Sequence, residues 1–486
     1  MTAVPHHDVA IVGTGFSGLC MAIQLAKSKQ RSFVLLERAG GVGGTWRDNH
    51  YPGCACDVPS HLYSFSFAPN PTWSRMFAPQ AEILAYLERQ VAAHDLGPHL
   101  RLHTEVTQAA WDDRAQLWRI STSRGALTAR HLVLGLGALS RPSIPAIPGA
   151  DSFTGRAFHS AQWDHSYDLT GRDVAVIGTG ASAIQFVPQI AARARRLELY
   201  QRTPPWVLPK PDRAVTAAER RLFAAAPLTQ RLVRSYIYWC MEARGLGFTV
   251  DPRIMQLAAV LGRRHIARQI PDPALRARVT PDYTPGCKRI LMANDYYPAL
   301  ARPTTEVISD RIDAITPRGV VAGGRERPVD AIIYGTGFKV SELLTPMRVL
   351  GQGGRELNAE WRTRIDAYLG ITVAGYPNLF LLMGPNTGLG HNSMVFMIES
   401  QVNWVLGCMR ALAARGGRTV EVRPEAQDAF NRALEPRLQK AVWAAGCQSW
   451  YLDENGHNSS LWPGFTFEYW LRTRLPRLAD LHLEAA

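Results

Sequence analysis

Two glycine-rich turns, each set between a strand and a helix, constrain this chain more than any other feature. Residues 8–12 read DVAIV, a short apolar run suited to a buried strand, and GTGFSG follows at 13–18. A helical apolar pattern then continues through Ala26, and SFVLLE at 32–37 reads as a second strand that ends on Glu37. The same unit recurs at DVAVI (173–177), GTGASA (178–183), a helix, and LELYQ (197–201). A β–turn–α–β unit of this kind opens a doubly wound parallel sheet, so the expected fold class is α/β, with two dinucleotide-binding Rossmann-like domains. In the first turn Gly13 permits the tight bend, Gly15 lets the backbone approach a pyrophosphate, and Gly18 permits close helix–strand packing. Unpaired amides at the helix start, together with the helix dipole, attract the anion. Gly178, Gly180 and Ala183 occupy the same places in the second turn; alanine is tolerated at the third.

The two units differ in charge. Glu37 stands twenty-four residues after Gly13, and Arg202 stands twenty-four after Gly178. A carboxylate at a strand end accepts bonds from ribose hydroxyls and repels a 2′-phosphate, whereas a guanidinium binds that phosphate through two bonds. The first site therefore suits FAD, or NAD, and the second suits NADPH. Two such sites in one chain imply hydride transfer from a nicotinamide to a flavin. Cys54 and Cys56 form C-x-C, unlike the Cys pair of disulfide reductases, so oxygen is the leading electron acceptor. The two thiols read as buried or incidental.

The remaining sequence sets the boundaries. At 486 residues the prior is about three domains. A Pro-rich stretch, RPSIPAIPG at 141–149, marks a boundary. The chain divides into 1–150 (first part of an FAD-binding domain), 151–210 (first part of an NADPH-binding domain) and 211–315 (a mostly helical insert). Residues 316–375 then complete the NADPH domain, and 376–486 complete the FAD domain with a substrate-side tail. Thr216 to Glu219 reads as a capping box inside the insert. Strands return at 329–334 and 379–383, and a helix is expected over about 393–414. The net charge is +13, but the arginines are scattered and no basic run occurs, so no nucleic-acid partner is expected. No run of 18 apolar residues occurs, so no integral membrane contact is expected. A strand beginning near Asp8 leaves no room for an export signal, and seven cysteines fit reduced thiols. Both point to a cytoplasmic protein. No metal site is expected.

Residues 153–164, FTGRAFHSAQWD, match F-x-G-x-x-x-H-x-x-x-W-[P/D] at Phe153, Gly155, His159 and Trp163. In this the chain resembles the FAD- and NADPH-dependent Baeyer–Villiger monooxygenases. Gly43-Gly44-Thr45-Trp46, Tyr51-Pro52-Gly53, Asp57 and Tyr334-Gly335-Thr336-Gly337-Phe338 extend the likeness over essentially the whole length. The resemblance implies that NADPH reduces FAD, that molecular oxygen adds to give a flavin C4a-peroxide, and that this attacks a ketone to yield an ester or lactone, with sulfoxidation as a side activity. It implies that Arg289, in Pro285-Gly286-Cys287-Lys288-Arg289, is the active-site arginine and that Asp57 orients it. Lys288 would then join Arg202 and Thr203 at the 2′-phosphate. Gly44, Thr45, Trp46 and Tyr63 would lie against FAD. Asn386, in Gly384-Pro385-Asn386-Thr387, would return to the flavin. Met394 would line the substrate side, and the aromatic tail 446–470 would cover it or pack in the core. The fingerprint histidine, His159, and Trp163 read as structural or hinge residues. Ile290 stands where the family usually has Pro. Two alternatives stay open: an N- or S-oxygenating flavin monooxygenase, and a flavin- and NADPH-binding redox sensor of low turnover.

Overall fold

The computed structural model describes all residues except 1–3, 30–31, 341, 448, 450, 453–455 and 486. The chain begins with β1 (His6–Val12), α1 (Phe16–Lys27) and β2 (Phe33–Leu36), and returns to them with β3 (Gly125–Leu134). It then builds β4 (Arg156–His159), β5 (Asp173–Ile177), α2 (Ala183–Ala191) and β6 (Arg196–Tyr200). Helices α3 (Ala217–Ala225), α4 (Pro227–Gly245) and α5 (Met255–Gln269) follow. Then come β7 (Thr305–Ile308), β8 (Ala331–Tyr334), β9 (Leu379–Leu381), α6 (Met394–Ala413) and α7 (Thr466–Thr473).

Two sheets carry this order. In the first, β1 lies between β2 and β3, parallel to both, and β9 pairs with β3 so that Leu381 stands opposite Leu134. The second sheet runs β7-β6-β5-β8-β4 and is parallel throughout. The central strands are apolar on both faces because each face meets its own layer. Val9 and Ile11 of β1 join one core cluster, while Ala10 and Val12 join another. Val174 and Val176 of β5 likewise face away from Ala175 and Ile177. This is the burial expected of parallel strands covered on both sides.

The expected capping box is present: the Thr216 hydroxyl accepts from the Glu219 N–H and the Glu219 carboxylate accepts from the Thr216 N–H. Two expected boundaries shift. The helical stretch ends before 305, because β7 pairs with β6, and Ile312–Ile315 forms part of a separate antiparallel sheet. Within the span expected to complete the second unit, Arg348–Leu350 instead joins the edge of the first sheet, beside Val106–Asp112. Both strands are short and half-exposed, so they lack the apolar run that marks a buried strand in sequence. The expectation of reduced thiols also fails in part, since Cys287 and Cys447 form a disulfide with Cα atoms 6.2 Å apart. Among the described residues Cys20, Cys54, Cys56, Cys240 and Cys408 are free.

Candidate active site

Both glycine turns open on one cavity of about 1200 Å³, above the roughly 300–1000 Å³ of an ordinary single-ligand cleft. At the first turn Gly13 has φ +97°, and a Cβ there would fall 2.5 Å from the Gly135 carbonyl oxygen. A Cβ on Gly18 would fall 1.9 Å from the Gly13 carbonyl oxygen. Gly15 differs: its Cβ would meet nothing of the protein nearer than the Gly44 Cα at 3.8 Å, and it faces the cavity. Two glycines thus serve packing and one leaves room for a ligand. Glu37 directly follows β2, almost fully buried, accepting from the Thr14 hydroxyl at 2.6 Å and from the Thr14 and Ala39 amides. Arg47 pairs with it at 3.1 Å. Gly44, Thr45, Trp46 and Tyr63 line the same wall, with the Trp46 indole N–H donating to the Tyr63 hydroxyl at 3.1 Å.

At the second turn Gly178 has φ +108° and packs on the Gly335 carbonyl, while Ala183 is fully buried against Gly335. Gly180 faces the cavity with only the Gly335 oxygen, at 3.9 Å, in reach of a Cβ. Arg202, Thr203 and Lys288 line this end. Arg202 is exposed and has no carboxylate partner among the described residues. Burial, and then the charge of Arg202 alongside, hold the Lys288 ammonium below its ordinary pKa; its Nζ sits 5.0 Å from the Tyr283 ring centre. Two cations held together, with the Asp282 carboxylate only a weaker influence on Lys288, form a ready phosphate site.

Between the turns stands an ion pair. The Arg289 Nε donates to the Asp57 carboxylate at 3.1 Å and a terminal guanidinium N–H donates to the same oxygen. About a third of each side chain is open, and both line the cavity. Burial alone would raise the Asp57 carboxyl, but Arg289 outweighs it and holds the group below its ordinary value. Asp57 in turn raises Arg289. The chain positions this pair from three sides. The Tyr51 hydroxyl donates to the Gln185 side chain of α2, and the Gln185 amide donates to the Ala55 carbonyl. The Tyr451 hydroxyl, buried, bonds to Arg289 from the C-terminal tail. The disulfide ties Cys287, two residues before Arg289, to the same tail.

A family model described as pyridine nucleotide-disulphide oxidoreductase matches residues 10–226, which hold both turns. The chain is 52% identical over 485 residues to a Baeyer–Villiger monooxygenase of Pseudomonas aeruginosa, covering 99% of this chain and 92% of that one. The chain belongs to the Baeyer–Villiger monooxygenase family. A steroid monooxygenase solved with NADP superposes with a TM-score of 0.89 at 31% identity, over 99% of this chain and 100% of that one. OTEMO, solved with FAD and NADP, superposes with a TM-score of 0.89 at 25% identity over the same shares.

In this monooxygenase the fingerprint lies outside the cavity wall. His159 is fully buried at the end of β4, where its Nδ1 accepts from the Ala161 N–H at 3.1 Å. Trp163 packs on Phe158 and on Phe186 of α2, and a Cβ on Gly155 would strike the Asp330 carbonyl and the Phe153 ring. The segment thus locks the edge strand of the second sheet to its helix. One residue expected at the cofactor lies outside the cavity wall. Asn386 has φ +54°, and its side-chain amide donates to the Asn458 and Leu461 carbonyls. Gly384, Pro385 and Thr387 line the wall instead. Met394 does line it. Cys54 and Cys56 are free thiols there, and burial raises both, Cys54 to about 11, so neither is a ready thiolate. The tail expected to cover the site is described only outside 448, 450 and 453–455, which lie beyond the described residues. Of its described part, Tyr451, Leu461 and Trp462 are buried, Ser459, Ser460 and Leu461 line the cavity wall, and Phe467 and Trp470 are exposed. Sequence reasoning missed Arg47, Gln185 and Tyr451. Of these only Arg47, next to the Gly-Gly-Thr-Trp run, had a local signal.

Proposed function

We propose that the chain uses NADPH and dioxygen, with FAD as its redox group, to convert a ketone into an ester or lactone. The observation that carries this reading is the Arg289–Asp57 pair in the wall of a cavity flanked by two anion-binding turns. FAD fits the first turn, where Gly15 leaves room for a pyrophosphate and Glu37 stands at the strand end to meet a ribose. NADPH fits the second, where Arg202, Thr203 and Lys288 offer donors to a 2′-phosphate. When bound, FAD supplies the chemistry that passes the nicotinamide's electrons to dioxygen and delivers one oxygen atom to the ketone.

The chain's own residues hold and shield the reacting centre. Arg289 is a cation at every working pH, so it stabilises a negative oxygen beside it without reorganising. Asp57 and Tyr451 aim the guanidinium and limit the cost of burying it. Trp46 and Tyr63 present aromatic surface that excludes water from the first turn. Met394 contributes to the substrate side. On the same reading, residues 1–150 and 376–486 form the FAD-binding body, and 151–210 with 316–375 form most of the NADPH-binding body.

The test is product analysis by mass spectrometry, with NADPH, ¹⁸O₂ and a panel of linear, cyclic and aryl ketones. Esters or lactones carrying one labelled oxygen are expected. NADPH consumption with every ketone recovered unchanged would overturn the reading.

A further inference from the structure

The helices that cover one side of the cavity carry a second, unclaimed surface on their outer side. Helix α4 buries Gln230, Ile237 and Met241, yet its opposite stripe is also apolar: Leu228, Leu232, Tyr236 and Trp239 recur at helical spacing, with Tyr236 72% and Trp239 58% exposed. The stripe continues past the helix end through Leu246 and Val250 to Ile254, Leu257 and Leu261 of the following turn and of α5, all exposed. It also spreads sideways. The Trp239 ring lies 6.2 Å from that of Phe467, which begins the outer face of α7 with Trp470 and Leu471. A helix apolar on both faces is ordinarily buried all round. Here the second apolar stripe faces outward, and a run of exposed apolar side chains of this kind marks an interaction site.

Charge around the patch selects the partner. Residues 217–279 hold eleven arginines against four carboxylates, more than half of the chain's net +13. Arg234, Arg276 and Arg278 donate to backbone carbonyls and Arg253 pairs with Asp251, while Arg231 and Arg264 are exposed and in no ion pair among the described residues. None of the four carboxylates is free to oppose an anion. Glu219 pairs with Arg213 and Asp251 with Arg253, Asp272 caps a helix, and Glu242 is buried. On the α7 side Glu468 is held by Arg437 and Arg472, and the Arg474 guanidinium lies over the Trp470 ring. Among the described residues no helix is long and apolar enough to cross a membrane. Apolar and Trp/Tyr side chains on one helical face, rimmed by arginine, suit a helix lying in the plane of a bilayer interface. A second copy of the chain fits less well, because symmetric pairing would set the arginine rims against each other.

We propose that this face, formed by α4, the start of α5 and α7, docks the protein on the surface of an anionic phospholipid bilayer. Arginines 231, 264 and 474 would meet headgroup phosphates, while Trp239, Tyr236 and Trp470 enter the acyl boundary. The geometry places the lipid one helix away from the cavity, since Glu242, on the inner side of α4, accepts from Asn392 in the cavity wall. An apolar ketone dissolved in the bilayer would thus be concentrated beside the enzyme. The docking does not rest on the proposed reaction; only its benefit to a ketone substrate does.

The experiment is flotation of the full-length, FAD-loaded protein with two vesicle preparations. One is phosphatidylcholine mixed with phosphatidylglycerol; the other is phosphatidylcholine alone. The protein should float with the anionic vesicles, at least about tenfold more than with the neutral ones, and should be released as salt rises. Trp239→Ser with Trp470→Ser, and separately Arg231→Glu with Arg264→Glu, should each lower flotation at least about tenfold. FAD content and NADPH-driven flavin reduction should stay at the parent level in both, which shows that they fold. Failure to float with either vesicle, or equal flotation by parent and variants, would overturn the proposal. So would a parent dimer in sedimentation that Trp239→Ser converts to monomer, since the face would then be covered by a second copy.

Discussion

The two glycine turns are built alike and finished differently. In each, the first glycine has a positive φ and packs against a glycine carbonyl at the end of a third strand, Gly135 in one and Gly335 in the other. In each, the second glycine faces the cavity and the third position is buried in packing. The strand ends then diverge. Glu37 is buried and tied by Thr14, Ala39 and Arg47, whereas Arg202 is exposed beside Lys288 and forms no ion pair among the described residues. The shared backbone suits a pyrophosphate, and the side chain chooses the nucleotide. A residue already satisfied by the protein suits a permanent guest, and a pair of unsatisfied cations suits a visitor that arrives with its own phosphate.

The hardest test of that parallel is at the third position. Ala183 fills its place, but a Cβ on Gly18 would overlap the Gly13 carbonyl. Gly18→Ala should cost more than about 3 kcal/mol and yield little folded protein. Ala183→Gly should fold, with a melting temperature a few degrees lower. Gly15→Ala, whose Cβ points into open cavity, should leave the apoprotein's melting temperature near the parent's while FAD content falls. If Gly18→Ala and Gly15→Ala behave alike, the division between packing and ligand glycines is wrong.

Arg289 belongs to neither turn. Arg289→Ala should therefore leave FAD content and NADPH-driven flavin reduction nearly intact while ester formation falls about a hundred- to thousandfold. Stopped-flow reduction beside product yield separates the two. A variant that makes ester at the parent rate would remove Arg289 from its proposed role. Arg202→Ala tests the charge difference itself. It should raise the KM for NADPH about ten- to a hundredfold and leave that for NADH nearly unchanged, which steady-state kinetics with both nucleotides would show. An equal effect on both would mean that the strand-end charge does not read the 2′-phosphate.

Features set by local rules were legible in the sequence. The glycine turns, the central strands and the Thr216–Glu219 capping box each depend on residues a few places apart, and each is found where the pattern put it. The Arg289–Asp57 pair, 232 residues apart, was reached only through family resemblance. Tyr451 and the Cys287–Cys447 link were not reached at all, because nothing local marks a residue that meets its partner across 160 positions. Asn386 shows a different gap. Its motif was found, but the backbone turn that aims its amide at the Asn458 carbonyl leaves no trace in residue type beyond the tolerance of Asn for a positive φ.

The smallest expected effect sharpens the same contrast through pH. Burial, then Arg202, hold the Lys288 ammonium below the ordinary lysine range. Only the protonated form attracts the 2′-phosphate. As pH rises through this lowered value the cation is lost, and the KM for NADPH should climb before an ordinary lysine would titrate, by about three- to tenfold for a half-exposed charge. NADH lacks the phosphate and should show no such limb. Lys288→Arg keeps its charge across the range and should flatten the NADPH profile. A limb that persists in Lys288→Arg would belong to some other group, leaving Arg202 alone to distinguish the second turn from the first.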